Sequence, residues 1–291
     1  MHVTILGCGY VGSRLAEVLA GAGHEVTAVR RTWDEGLADV DCREADVTDV
    51  RDLESLPDTD ALVFAASTGG GGAEAARALY VEGLEAVLEH YAGRASQPDR
   101  LVYTSSTGVY GDHGGDWVDE STPLDPQTEK TRALAEAERV AFETVESVDG
   151  TVCRLAGIYG PDRYRLERYL TGPVTEGYLN MIHREDAAGA IAHLLAADRA
   201  RGEVVLLVDD EPADKWTMAD WLAEQCGEPE PPKVTVEERL ADDPSGRARR
   251  RLVTSKRCVN DRLRETGYDL EHPTYRSGYA AAIKDTLSER S

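Results

Sequence analysis

GCGYVG (Gly7 to Gly12) falls between HVTIL, an apolar run of strand length, and SRLAEVLAGAG, whose apolar residues recur at helical spacing until glycine ends them. A GxGxxG turn placed between strand and helix constrains the fold more than any other stretch of the chain. Gly7 permits the tight turn, Gly9 lets backbone approach a pyrophosphate, and Gly12 lets helix and strand pack closely. Tyr10 and Val11 open the helix, whose N-terminus presents free N–H groups to phosphate. The motif therefore predicts a dinucleotide site built on Gly7, Gly9, Tyr10, Val11 and Gly12.

The rest of the chain alternates in the same way. HEVTAV, DALVFAA (Asp60 to Ala66), DRLVYTSS (Asp99 to Ser106), the start of GTVCRLAGIYGP and EVVLLVDD read as strands. Ala73 to Tyr91, Thr128 to about Val145 and REDAAGAIAHLLAA read as helices. Such alternation predicts an α/β fold, a Rossmann-type doubly wound parallel sheet covered on both faces. The tail from Glu211 breaks the pattern, with EPEPP (Glu228 to Pro232) and short helices. It is assigned to a small C-terminal substrate lobe. The expected division is a dinucleotide-binding domain over 1–161 and 184–210, and a substrate lobe over 162–183 and 211–291. The glycine run Gly69 to Gly72 reads as a flexible loop after a strand end, where ligands bind in such sheets.

Composition narrows the partners. The 291 residues carry a net charge of -22 spread along the chain, and the only lysines are Lys130, Lys215, Lys233, Lys256 and Lys284. A distributed acidic surface suits a protein kept soluble at high salt, where self-repulsion is screened. It also argues against nucleic acid and anionic membranes as partners. The basic stretch GRARRR (Gly246 to Arg251) reads as a solvated loop. Cys8, Cys42, Cys153, Cys226 and Cys258 form no CxxC or Cys/His cluster, so neither a disulfide framework nor a metal is expected. No apolar run reaches the roughly 18 residues of a membrane span, and the first residues lack a signal-peptide pattern. The expected location is cytoplasmic and the expected partner a small molecule.

The end of the second strand bears on the cofactor. Binders of NAD commonly place an acidic residue there, on the ribose 2′-OH. This chain reads AVRRTW, so Arg30 and Arg31 stand there, and forked guanidinium donors match the oxygens of a 2′-phosphate. NADP is the expected cofactor, with NAD as the alternative.

GCGYVG, ADVTD (Ala45 to Asp49), YTSSTGVYGD (Tyr103 to Asp112), CRLAGIYGP (Cys153 to Pro161) and NMIHREDAAGAI (Asn180 to Ile191) follow one another in a familiar order. With these pieces the chain resembles the extended short-chain dehydrogenase/reductases, the NAD(P)-dependent epimerase/dehydratase family, over nearly its whole length. The resemblance implies that Asp46 and Val47 contact the adenine and that Ala65 and Ala66 pass beneath the cofactor. It implies that Ser106 is the catalytic serine, that the segment from Tyr159 to His183 lines the substrate pocket, and that the tail caps it. A homodimer through Ala73 to Tyr91 and Thr128 to Val145 is implied in the same way.

The chain departs from the family at two places. Its glycines are spaced GxGxxG, where extended members usually carry GxxGxxG. More seriously, the family carries YxxxK on the helix where TEKTR lies here, which puts Thr128 at the tyrosine and Arg132 at the lysine. A threonine hydroxyl lacks the tunable acidity of a phenol, and arginine stays protonated. Arg132 is expected to keep a cofactor-binding charge. Tyr110, Asp112, His113, Tyr159 and Asp162 are the candidate substitute acids, each with a plainer alternative as a packing or solvated residue. Arg154, Arg163, Arg165 and Arg168 form a cationic group suited to a diphosphate or carboxylate substrate, or to ion pairs with neighbouring acids. Two functions stay open: an NAD(P)-dependent oxidoreductase or epimerase on a sugar or nucleotide-sugar, or a catalytically silent NAD(P)-binding sensor or scaffold.

Overall fold

The computed structural model describes residues 1–143 and 148–289. Seven strands form its central sheet: β1 (His2–Leu6), β2 (Glu25–Arg30), β3 (Asp41–Glu44), β4 (Ala61–Phe64), β5 (Arg100–Ser106), β6 (Asp149–Leu155) and β7 (Val204–Leu207). They pair in the order β7-β6-β5-β4-β1-β2-β3, and every pairing is parallel. The chain runs outward from β1 through β2 to β3, then returns to β4 on the other side of β1. Ligands of open α/β sheets bind outside the carboxyl ends of the strands at such a reversal. β4 is buried at all four residues and β5 at most of its length, as a doubly covered sheet requires.

Helix α1 (Tyr10–Gly21) packs against the helix Arg184–Ala196. The latter buries Asp186 completely, because its carboxylate accepts the N–H groups of Glu271 and His272 at 2.7 and 2.9 Å. The segment read as one helix from Ala73 to Tyr91 is interrupted. Ala73–Arg77 is α-helical, Ala78–Glu82 forms one π-helical turn, and the α-helix resumes over Gly83–Ala92. The helix expected from Thr128 runs over Glu129–Glu143, and its expected end at Val145 lies outside the described residues. β3 escaped the sequence reading because only Cys42 in DCRE is apolar. GRARRR, expected as a loop, lies within the helix Gly246–Val253, since its arginines and alanine are all good helix formers.

A second apolar cluster lies apart from the main core. It gathers Tyr159, Leu166 and Met181 with Met218, Leu222, Tyr275, Tyr279 and Ile283. Short strand pairs stitch the tail to the sheet end: Tyr178–Leu179 with Ala213–Asp214, Val174–Thr175 with Lys233–Val234, and Trp117–Val118 with Arg257–Cys258.

One polar network sits inside the main core. Glu138 and Arg154 are 4% and 5% exposed. The carboxylate of Glu138 accepts Arg154 Nη2 at 2.7 Å, Nε at 3.1 Å and Ser105 Oγ at 2.5 Å. Arg154 Nη1 donates to the Tyr110 hydroxyl at 2.6 Å. Helix Glu129–Glu143, strands β5 and β6 and the turn after Ser106 are thereby tied at one point. Removing one member of a buried pair strands the other charge, which costs about 3–5 kcal/mol, whereas replacing both with apolar groups is far milder. Arg154→Met should therefore lower the unfolding free energy in urea by that amount. Arg154→Met with Glu138→Leu should recover most of the loss.

Candidate functional site

The glycine turn is built as its spacing requires. Gly7 has φ +103, and a Cβ there would lie 2.3 Å from the backbone N and Cα of Ala66. A Cβ on Gly12 would lie 2.6 Å from the carbonyl oxygen of Gly7. A Cβ on Gly9 would meet nothing within 4 Å. Two glycines are thus demanded by the protein's own packing, and the third faces open space at the N-terminus of α1. That space is a cleft of about 450 Å³ lined by Gly9, Tyr10, Ser13, Arg14, Arg30 and Arg163, with Glu17 and Arg184 at its sides. The N-terminal N–H groups of α1 and these guanidiniums make it electropositive. The fit to a pyrophosphate is direct: an open backbone approach, a helix N-terminus and forked cationic donors.

Tyr10 organises one wall. Its hydroxyl donates to the Pro161 carbonyl at 2.6 Å, and the guanidiniums of Arg163 and Arg184 lie 4.0 and 5.1 Å from its ring centroid. Arg14 is held by Glu17 and Glu185, and Arg184 by Glu185. Arg30 and Arg163 have no ion pair among the described residues. Arg30 rests 5.7 Å from the Trp33 ring, while Arg31 lines a separate hollow of about 340 Å³ with Glu44, Ala45, Asp46 and Asp52. The two arginines that the sequence set side by side therefore serve different hollows. Asp46 Oδ1 accepts Thr48 N and Thr48 Oγ1, and these bonds hold its carboxyl below the usual range, helped by Arg31. Val47 is buried behind it, and Ala65 and Ala66 run beneath Gly7.

The catalytic half is arranged differently. Ser106 is half-buried at the end of β5, where its Oγ accepts Gly108 N at 3.1 Å and caps the 3-10 turn Thr107–Tyr110. Thr128 is engaged as a helix cap. Its Oγ1 accepts Thr131 N, and Thr131 Oγ1 accepts Thr128 N, each at 3.0 Å, which satisfies the first turn of the helix. Arg132 pairs with Glu129 one turn away and is 57% exposed.

The remaining candidates also carry two readings, and the structure separates them. Tyr110 is fully buried with its hydroxyl committed to Arg154, so it is a packing residue and not a free acid. All three guanidinium nitrogens of Arg154 donate to Glu138 or Tyr110, and the side chain is buried in the core, away from the cleft lining. Tyr159 stacks on Tyr279 at 5.2 Å in the second core, with Gly278 pressed against its hydroxyl, so its ring is enclosed and does not line an open pocket. Arg163 lines the cleft at Gly9, whereas Arg165 does not and sits at φ 54 just before the helix Leu166–Thr171. Asp112 and His113 are pinned by the tail: Asp112 Oδ1 accepts Ser255 N at 2.8 Å, and His113 N donates to Ser255 O at 3.0 Å. Beside them Lys256 is buried with its Nζ on Gly111 O at 2.8 Å, and burial lowers its pKa.

The sequence reading missed Arg14 and Arg184 in the cleft, and it missed Tyr80. The Tyr80 hydroxyl accepts Thr68 N at 3.3 Å, and Lys130 Nζ lies 5.6 Å from its ring centroid. Tyr80 lies on the π-helical turn Ala78–Glu82, which has no sequence signature.

This geometry has counterparts. The NAD dependent epimerase/dehydratase family model matches residues 3–197. Protein YeeZ of Escherichia coli (strain K12) is 35% identical over 213 residues, which cover 68% of this chain and 74% of YeeZ. Human epimerase family protein SDR39U1, solved with NADPH, superposes with a TM-score of 0.80 at 20% identity, covering 99% of both chains. DesIV of Streptomyces venezuelae, a dTDP-glucose 4,6-dehydratase solved with NAD and TYD bound, gives 0.79 at 20% identity over 100% of this chain and 98% of its own. At that identity the two structures speak for the fold alone. The family match spans the glycine turn, the Ser106 motif and the helix that opens at Arg184, so the chain belongs to the NAD-dependent epimerase/dehydratase family.

Proposed function

We propose that the protein binds an NAD(P) dinucleotide across the carboxyl ends of β1 and β4 and acts as an oxidoreductase or epimerase on a sugar or nucleotide-sugar. The observation that carries this is the cleft at Gly9: open backbone at a helix N-terminus, faced by Arg30 and Arg163 with no carboxylate partner among the described residues. Gly7, Gly9 and Gly12 would seat the pyrophosphate. Arg163 and Arg184 would close on it from the wall built on Tyr10. Arg30 would hold a 2′-phosphate, which favours NADP, while Arg31 is drawn toward Asp46. Bound there, a nicotinamide would supply a hydride acceptor or donor. Ser106, half-buried at the end of β5, would polarise the reacting oxygen by donating its hydroxyl proton into a hydrogen bond.

A silent binding protein is the second reading, favoured by the commitment of Thr128 to a helix cap and of Arg132 to Glu129. Titration with NADPH followed by a panel of nucleotide-sugars separates the two. Cofactor binding without turnover of any member supports the silent reading, and absence of binding overturns both.

Two outcomes are expected of variants. Arg30→Ala should weaken NADPH by about tenfold or more, the worth of one charged hydrogen bond, and NADH much less. Titration calorimetry showing equal losses for the two would refute the assignment. Gly9→Ala should melt with the unmodified protein yet lose dinucleotide affinity, because its methyl enters only the cleft, whereas Gly7→Ala should fail to fold. In any substrate that turns over, Ser106→Ala should cost on the order of 100-fold in rate.

A further inference from the structure

The first turn of the helix Glu129–Glu143 holds no phenol, but a tyrosine and a lysine do meet nearby. Tyr80 lies on the π-helical turn Ala78–Glu82, a local geometry that recurs at functional sites. Its ring is buried, and its hydroxyl points to the loop that leaves β4, accepting Thr68 N at 3.3 Å with Thr68 Oγ1 at 3.5 Å. Phe64 is in register with Tyr103, so this loop starts beside the last residues of β5, where Ser106 stands. Ser67 is exposed and Thr68 half-buried. Lys130 approaches from the helix, with Nζ 5.6 Å from the Tyr80 ring centroid and no carboxylate partner among the described residues. The same helix touches the Ser106 turn, because a Cβ on Gly108 would lie 3.3 Å from Ser106 Oγ and 3.5 Å from Thr131 Cγ2.

We propose that Tyr80 and Lys130 form the proton-holding pair of this protein, coupled to the substrate through the hydroxyl of Thr68 at the mouth of the Ser67–Gly72 loop. The inference rests on the proposed oxidoreductase or epimerase function. The step is a proton transfer alone. The substrate O–H bond breaks, its proton passes to Thr68 Oγ1 as the Thr68 proton passes to the Tyr80 phenolate, and the substrate oxygen keeps the electron pair. Tyr80 is thus a positioning residue that acts through Thr68.

The surroundings favour the phenolate. Burial opposes it, but the bonds from Thr68 and Ser67 and the charge of Lys130 outweigh burial, and the hydroxyl is held below the usual tyrosine range. Burial drives the hydroxyls of Tyr103, Tyr110 and Tyr159 the other way. The groups facing Tyr80 are few: Lys130 from the helix, Tyr103 from β5, and Ser67 and Thr68 from the loop. On its own helix Arg77 is paired with Glu82 and with Glu136.

The test is a tyrosinate absorbance titration of the full chain, unmodified and as Tyr80→Phe, Lys130→Met and Thr128→Val. One tyrosine should titrate ahead of the others, vanish in Tyr80→Phe, move upward in Lys130→Met, and stay in place in Thr128→Val. Superimposable curves for the unmodified protein and Tyr80→Phe overturn the proposal, as does an unmoved curve in Lys130→Met. Tyr80→Phe keeps the ring, so unchanged thermal melting and unchanged NADPH binding by calorimetry are expected. Lost NADPH binding in the unmodified protein would instead strike the proposed function. With any nucleoside-diphosphate sugar that turns over, Tyr80→Phe should lower kcat by about 100-fold or more with KM little changed, and an unchanged kcat overturns the proposal.

Discussion

The backbone crossing at Gly7 and Ala66 governs the rest of the site. A side chain at Gly7 would sit 2.3 Å from the Ala66 backbone, so the loop after β1 and the end of β4 can approach only because one of them is bare. Two consequences follow from that contact. The N-terminus of α1 opens beside the carboxyl end of β4, which fixes the cleft at Gly9. The loop from Ser67 to Gly72 leaves the carboxyl end of β4, the strand paired directly with β1.

The buried ion pair explains how the helix Glu129–Glu143 keeps its place without a catalytic first turn. Its anchor is Glu138, locked to Arg154 on β6 and to Ser105 on β5. Position is therefore set in the middle of the helix, and its N-terminus is free to vary. Thr128 and Thr131 satisfy the open N–H groups there by reciprocal capping, while Arg132 turns outward to Glu129. Lys130, on a different side of the same turn, is carried toward Tyr80 by the helix that Glu138 holds.

Local patterns were legible and long-range partners were not. The turn from Gly7 to Gly12 and strands β1, β2, β4 and β5 follow from apolar runs and glycine spacing, which are properties of neighbouring residues. β3 is a polar edge strand with almost no apolar signal. Arg154 stays open between substrate clamp and ion pair in the sequence because its acid, Glu138, is sixteen residues away on another element. Tyr159 read as a pocket residue because its stacking partner, Tyr279, comes from the far end of the chain. Arg163 belongs by sequence to a cationic group for a substrate or for ion pairs, and only the fold shows that it faces Tyr10 and the cleft at Gly9. Tyr80 was hidden for a different reason: a π-helical turn changes which way a residue points without changing the helical pattern that surrounds it.

A chain of net charge -22 that holds a polyanionic cofactor faces a physical conflict. Long-range repulsion between the protein's field and the ligand's phosphates opposes their encounter. Salt resolves the conflict unevenly, since the Debye length falls from about 10 Å at 0.1 M to about 3 Å at 1 M. The distributed carboxylates act from a distance and are screened first. The guanidiniums of Arg30, Arg163 and Arg184 line the cleft and would meet phosphate at hydrogen-bond distance, where screening is weakest. On the proposed reading, recognition comes from short, forked contacts rather than from steering. That requirement accounts for a cleft lined by arginine in a chain that carries only five lysines.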